Sequence, residues 1–197
     1  MTDRVLVTGA SGFIAKHVLA QLLADGFQVR GTVRSLKRRP EIEAAIARAG
    51  SGCAGSGLEL VEADLTRDEG WQGAAEGCRY VLHMASPFPP AEPRDPETLI
   101  RPAREGTRRV LQAAAAGGVE RVVVTSSIIA VMHADKPDHV PRTEMDWSSP
   151  SDEEMSTYGR SKTLAERTAW KIIDGLRESG SGHVPELVAI NPGVVFG

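Results

Sequence analysis

The chain has 197 residues, with 23 Lys and Arg against 26 Asp and Glu, a formal net charge of −3 and 41% hydrophobic residues. This composition excludes a disordered polyelectrolyte, since apolar surface suffices to offset ordering entropy, and it lacks the basic excess of a nucleic-acid or membrane-surface binder. No apolar run approaches the ~20 residues of a membrane helix. The two cysteines, Cys53 and Cys78, sit in no metal-ligand spacing; no zinc site or disulfide framework is expected, and the usage suits a reducing, cytoplasmic setting.

Met1-Thr2-Asp3-Arg4 runs straight into the apolar Val5-Leu6-Val7, so no secretory leader is expected and the first strand covers residues 4–8. A helix over 13–25 follows, then a strand over 28–33 and a helix over 40–49. Residues 50–57, GSGCAGSG, read as a surface loop with Cys53 an exposed thiol. Strands over 58–62 and 80–84 precede a helix over 96–116, which Gly117-Gly118 ends. A strand over 121–125 contains the continuously apolar Val122-Val123-Val124, as expected of a parallel strand buried on both faces. Residues 132–150 read as a long loop on the side where α/β proteins place their sites. Ser151 and Glu154 read as a capping box for a helix over 151–177, and a strand over 186–190 closes the pattern. The alternation predicts an α/β, Rossmann-type doubly wound parallel sheet with helices on both faces.

Thr8-Gly9-Ala10-Ser11-Gly12-Phe13-Ile14-Ala15 lies between the first strand and the first helix. Glycines there permit a tight turn and let backbone N–H groups approach a pyrophosphate, to which a helix N-terminus adds partial positive charge. A strand–helix turn also takes glycine for steric reasons alone, but the flanking strand and helix are the context a dinucleotide site requires. Ala15 at the third position is a tolerated variant. An NAD site usually carries Asp or Glu ~20 residues after the turn to bind the ribose 2′-hydroxyl. No acid occurs between Phe27 and Pro40. Arg34, at the end of the second strand, suits a 2′-phosphate, while Arg38-Arg39 read as a solvated basic pair, so the expected cofactor is NADP(H).

Tyr158 and Lys162 share one face of the 151–177 helix, one turn apart. A free phenol titrates near ~10, so acid–base work near neutrality calls for a downward shift, which an adjacent Lys⁺ favours. Thr125-Ser126-Ser127 ends the fifth strand at the same sheet edge. One of these hydroxyls is placed to hold a substrate carbonyl while Tyr158 donates a proton and a nicotinamide delivers hydride. Tyr-x-x-x-Lys alone arises by chance on surface helices; the order of glycine turn, Ser-Ser strand end and Tyr-x-x-x-Lys is the specific signal.

Over VTGASGFIAKHV, GTVRS, HMASPF, EGTRRVLQAAAAGGVERVVVTSS, YGRSKTLAE and NPGVVFG, the chain resembles the extended short-chain dehydrogenase/reductases. Within that NAD-dependent epimerase/dehydratase superfamily it is most similar to the dihydroflavonol reductase-like group, which includes cinnamoyl-CoA reductases and microbial aldehyde and ketone reductases. The resemblance implies a catalytic Ser127, Tyr158 and Lys162, favours Ser127 over Ser126, and lets Lys162 also reach the nicotinamide ribose. It sets Gly9, Gly12, Phe13 and Ile14 at the pyrophosphate and Arg34 at the 2′-phosphate. It sets Asp64 and Leu65 by the adenine, Ala85 and Ser86 beside the cofactor, and Pro192, Gly193 and Val194 at the nicotinamide. Relatives commonly carry Asn where this chain has Arg109, so an Asn-based proton relay is not expected. Such proteins continue well past the NPG segment. The expectation is therefore one NADP-binding Rossmann domain over 1–197 that carries the catalytic residues but lacks most of the C-terminal substrate-binding part, and is a poor catalyst alone.

The leading functional reading is an NADPH-dependent reductase of a small-molecule ketone or aldehyde. A sugar-nucleotide epimerase or dehydratase would use the same Tyr/Lys frame with a tightly held cofactor. A non-catalytic dinucleotide-binding protein is the third reading, against which the retained Ser127, Tyr158 and Lys162 argue. His83 reads as a satisfied core histidine. His133 and His139 lack metal-ligand spacing, and no metal is expected. Trp71 and Trp170 read as packing residues, Trp147 as a secondary candidate for a pocket wall, and Ala113 to Ala116 as a helix face packed close to the sheet. No nucleic-acid or membrane partner is expected; homo-oligomerisation, substrate identity and stereochemistry are left open.

Overall fold

In the computed structural model, which describes residues 3–49, 57–88, 91–137, 139–180 and 182–196, the short β-branched runs become strands and the stretches between them helices. Cys53 and most of its expected loop lie outside the described residues. In chain order the elements are β1 (Arg4–Thr8), α1 (Phe13–Ala24), β2 (Gln28–Val33), a 3₁₀ turn (Leu36–Arg38), α2 (Arg39–Arg48), β3 (Leu58–Glu62), α3 (Trp71–Ala75) and β4 (Tyr80–His83). Then come α4 (Glu97–Ala116), β5 (Arg121–Thr125), α5 (Ile129–Met132), α6 (Thr157–Ser179) and β6 (Glu186–Ile190).

The sheet order is β3-β2-β1-β4-β5-β6, and every neighbouring pair is parallel. The chain steps outward from β1 to β3, then returns to β4 on the other side of β1. That reversal leaves a crevice outside the carboxyl ends of β1 and β4, where open α/β sheets bind ligands. Alternation along the strands splits the core. Val5 and Val7 of β1 join Val29, Val33 and Leu60 beneath Leu19, Leu23, Ile42 and Ile46 of α1 and α2. Leu6 points the other way, with Val81, Val122, Val124 and Leu187, beneath Val110, Leu111, Ala169 and Ile173 of α4 and α6. Burial of each such side chain contributes ~1.5–3 kcal/mol. Ala113 and Ala114 are buried on the sheet side of α4, whereas Ala116 is exposed.

One buried cation interrupts this apolar pattern. Arg30 of β2 sends Nη1 to the carbonyls of Gly73, Ala74 and Glu76, at 3.0, 3.0 and 2.7 Å, and Nε to Glu59 at 2.8 Å. It thus satisfies carbonyls left without intrahelical partners at the end of α3. Trp71 is buried in the same layer, and its indole N–H donates to the carbonyls of Asp64 and Arg67.

Two local expectations give way to the structure, and two short helices are added. The last helix does not start at Ser151 with a Ser151/Glu154 box. Asp152 Oδ1 instead accepts from Glu154 N–H, holding this stretch in turns, and the helix begins after Ser156, whose hydroxyl accepts from Gly159 N–H at 3.1 Å. β4 stops at His83 because the N–H groups of Met84 and Ala85 turn to the Thr8 side chain. The short α3 and α5 carry too few residues to show a helical period in sequence. Among the described residues no helix is long and apolar enough to cross a membrane.

β2 also shows why its centre is glycine. A Cβ on Gly31 would stand 2.8 Å from both Ala10 Cβ and Leu60 Cδ2, inside contact distance of the turn after β1 and of β3. Gly31→Ala is expected to cost about 1–3 kcal/mol. A urea titration should show a lower midpoint with an unchanged slope.

Candidate active site

The turn after β1 is held from below. Thr8 is fully buried, and its Oγ1 accepts from Met84 N–H at 3.1 Å and Ala85 N–H at 3.0 Å. Its own hydrogen then goes to His83 Nδ1 at 2.8 Å. The imidazole proton is left on Nε2, which faces Thr107 Oγ1 at 3.3 Å, and Thr107 passes its hydrogen to the carbonyl of Ala103. Burial, with Lys162 adding repulsion, pushes His83 down to about 3, so the ring is neutral and fully hydrogen-bonded. His83 is the satisfied core histidine that its apolar strand suggested.

Above this floor Gly9 has φ +70°, and its amide donates to Thr32 Oγ1 at 3.1 Å. A Cβ there would stand 2.9 Å from Ala85 Cα, so only glycine lets β1 and β4 approach this closely. α1 then starts at Gly12 with no side-chain cap, leaving its first-turn N–H groups for another acceptor. The cleft over this turn measures about 570 Å³ and brings together Gly9, Gly12, Arg34, Asp64, Leu65, Ala85 and Ser86, seven residues expected there from sequence. Phe13 and Ile14 do not line it with their side chains. Both are exposed on the first turn of α1, where the Phe13 ring lies edge-on to His17.

The charges around the cleft divide clearly. Arg38 and Arg39 pair with Glu41 and Glu43 along the helix, and Lys16 also reaches Glu41. Arg34 is exposed at the cleft and forms no ion pair among the described residues. Asp64 is held below the usual carboxylate range, first by the backbone and side chain of Thr66 and then by the field of Arg34. A dinucleotide fits this surface: a tight glycine turn, uncapped helix amides and an unpaired guanidinium lie along one cleft.

The candidate catalytic side chains lie past Ala85 and Ser86. Burial raises the pKa of the Tyr158 phenol above the ordinary value, and the nearby Ser127 hydroxyl pulls it the other way. The downward pull expected from Lys162 is not what the structure shows. The ammonium is aimed instead at the carbonyl of Thr125, with Nζ donating at 2.6 Å. Lys162 is only 6% exposed, and burial pushes it down to about 8, opposed by Glu166. Ser126 takes no part in the phenol contact. Its buried hydroxyl has no partner among the described residues and faces a cavity of about 10 Å³ behind Lys162.

Two contacts from the segment after β4 bear on Tyr158. Phe88 lies edge-on to the phenol ring, centroids 5.1 Å apart, and also lines the cleft. Glu92 accepts from the N–H of Thr157 at 2.8 Å, capping α6 beside the tyrosine. Pro192, Gly193 and Val194 do not line the cleft; they leave β6 next to the serine loop, where the Pro192 carbonyl accepts from Ile128 N–H at 3.0 Å. Arg109 is turned to Asp68 and the Leu65 carbonyl, a bracing contact away from Lys162. His133 lies 3.5 Å from Asp152, and the Trp147 ring is covered by Arg167 at 5.2 Å. Trp147 therefore walls no part of the cleft. Thr8, Thr32 and Phe88 brace or line the site without having been singled out, although each falls within a quoted stretch, VTGASGFIAKHV, GTVRS and HMASPF respectively.

A family model described as the NAD dependent epimerase/dehydratase family matches residues 5–175. Cinnamoyl-CoA reductase 1 of Petunia hybrida is 39% identical over 203 residues, which cover 98% of this chain and 54% of that protein. The putative uncharacterized oxidoreductase YDR541C of Saccharomyces cerevisiae is 37% identical over 212 residues, covering 100% of this chain and 59% of that protein. Among solved structures, yeast methylglyoxal/isovaleraldehyde reductase Gre2 complexed with NADPH superposes with a TM-score of 0.82 at 30% identity, covering 98% of this chain and 58% of that one. The chain therefore spans a little over half the length of the relatives it matches.

The neutral His83 sets an acid limit on folding. Its pKa falls from an ordinary ~6.5 when unfolded to about 3 when folded. Between those values the unfolded chain binds more protons, so stability is whole above ~6.5 and is lost as pH falls toward 3. Thermal melts followed by circular dichroism should show Tm dropping across that window, and less steeply in His83→Gln.

Proposed function

Because the chain belongs to the NAD dependent epimerase/dehydratase family, we propose that it forms the catalytic half of an NADPH-dependent reductase of a small-molecule ketone or aldehyde. The observation that carries this reading is one continuous edge: Arg34 and the glycine turn at one end, and Tyr158, with the Ser127 hydroxyl acting on it, one turn from the buried Lys162 at the other. Its similarity to cinnamoyl-CoA and methylglyoxal/isovaleraldehyde reductases supports a carbonyl substrate.

Gly9, Gly12 and the amides at Phe13 and Ile14 would hold the pyrophosphate, Arg34 the 2′-phosphate, and Asp64 and Leu65 the adenine end. Ala85, Ser86 and Pro192 to Val194 would border the nicotinamide, and Lys162 its ribose. When bound, NADPH supplies the hydride. Ser127 and Tyr158 then hold the carbonyl oxygen between two hydroxyls. A phenol whose pKa is raised by burial is fully protonated at neutral pH, which is the state a proton donor needs. Lys162, one turn along α6 with Nζ on the Thr125 carbonyl, would stabilise the phenolate left after transfer once its ammonium turns toward that oxygen.

Fluorescence titration should show NADPH binding more tightly than NADH. Arg34→Ala should weaken NADPH by roughly 10-fold or more, the worth of a charge-assisted contact, and leave NADH unchanged. Equal affinities in the parent protein would refute the assignment of Arg34. Tyr158→Phe should lower carbonyl reduction by about 10²–10⁴-fold with cofactor binding intact. Unchanged turnover would favour a role without chemistry, and copurified oxidised cofactor would favour an epimerase or dehydratase.

A further inference from the structure

We infer that Glu166 is a positioning residue for the reacting pair: it supplies the counter-charge that keeps Lys162 an ammonium and, through Asn191, fixes the Ser127 loop. This rests on the reading of Tyr158 and Lys162 as the reacting side chains.

Glu166 is 4% exposed, and its Oε2 accepts from Asn191 Nδ2 at 2.9 Å. The other hydrogen of that amide goes to the Ser127 carbonyl at 3.1 Å. One carboxylate thus reaches the loop after β5 through a residue that follows β6. A neutral glutamine would serve Asn191 equally well, and a buried carboxylate is costly unless a charge offsets it. Glu166 has no ion pair within 4.0 Å among the described residues, so the offsetting charge is Lys162, one turn earlier on α6. The two line the same small cavity.

The other groups facing Lys162 carry no charge. β4 contributes the neutral His83, α4 the Thr107 hydroxyl, and β5 the Thr125 carbonyl and Ser126 hydroxyl. Asn191, after β6, is an amide; α5 has no titratable residue; and Tyr158, on α6 itself, is a protonated phenol. Burial alone drives Lys162 toward the neutral amine, and Glu166 opposes it. Removing that carboxylate leaves no charge in this surround, and only the Thr125 carbonyl dipole, to keep the proton on Nζ.

Glu166→Gln keeps the acceptor for Asn191 and removes only the charge. In lysine-labelled protein, NMR of the Lys162 Cε should show its titration midpoint falling by about one pH unit, with the circular dichroism spectrum unchanged. The alkaline limb of carbonyl reduction should move with it. A midpoint moving from about 8 to ~7 leaves about a tenth of Lys162 charged at pH 8 in place of half, a loss of about fivefold, with little change at pH 6. Glu166→Asp should restore most of the shift. Asn191→Ala, which leaves both charges in place, should lower kcat at every pH without moving the midpoint, and it carries the test if Glu166→Gln does not fold. An unmoved Lys162 midpoint in Glu166→Gln overturns the counter-charge, and an unchanged kcat in Asn191→Ala overturns the link to Ser127. A midpoint that moves while the rate profile stays put supports the counter-charge and refutes the catalytic assignment of Lys162.

Discussion

The hydroxyl of Thr8 ties together the two strands between which the sheet reverses, and the geometry of the site follows from that tie. By taking the amides of Met84 and Ala85, it ends β4 one residue early and folds the next segment under the glycine turn. By giving its hydrogen to His83, it fixes an imidazole tautomer that continues through Thr107 into α4. The crevice of a doubly wound sheet is a topological fact, but its width is set by such contacts. Here Gly9 over Ala85 leaves no room for a side chain between the strands.

On the other half of the sheet, the site is built from charge in a dry setting. Lys162 is anchored to the last carbonyl of β5, and Ser127, two residues on, acts on the phenol. The neighbours that complete this arrangement are neutral. In a region of low effective dielectric, one opposite charge one turn away then has an influence that a crowd of exposed ones would not. The cofactor end is the reverse case: Arg38, Arg39 and Lys16 are absorbed by Glu41 and Glu43, and Arg34 at the cleft is solvent-facing.

Much of this is legible in the sequence, for identifiable reasons. Buried parallel strands are continuous β-branched runs, so all six are placed to within a residue. The single slip, at Met84, comes from a tertiary contact with Thr8. The start of α6 is misread because Ser151 and Glu154 imitate a capping box, whereas Asp152 organises local turns and Ser156 is the cap. Glu92, 65 residues upstream, adds a second cap that no local pattern reports. The places of the glycine turn, Arg34, Asp64 and Ser127 are legible because strand ends and turns follow from position along the chain. Thr8 and Asn191 are not, because each acts through partners distant in sequence; Glu166 lies one turn from Lys162, but its burial and its bond from Asn191 do not show in the spacing. The direction of the Tyr158 shift is also hidden. Spacing put an ammonium near the phenol, but could not show that its hydrogen was already committed to Thr125.

The contrast between an exposed Arg34 and an enclosed Lys162 has a consequence for ionic strength. At physiological salt the Debye length is about 8 Å, so a guanidinium bathed in solvent loses much of its pull on a phosphate as salt rises. An ammonium that is 6% exposed does not share its field with mobile ions. Discrimination between the two nicotinamide cofactors should therefore erode in concentrated electrolyte while the proton-transfer machinery is left untouched. Cofactor choice and chemistry, neighbours along one sheet edge, are in this sense separately adjustable.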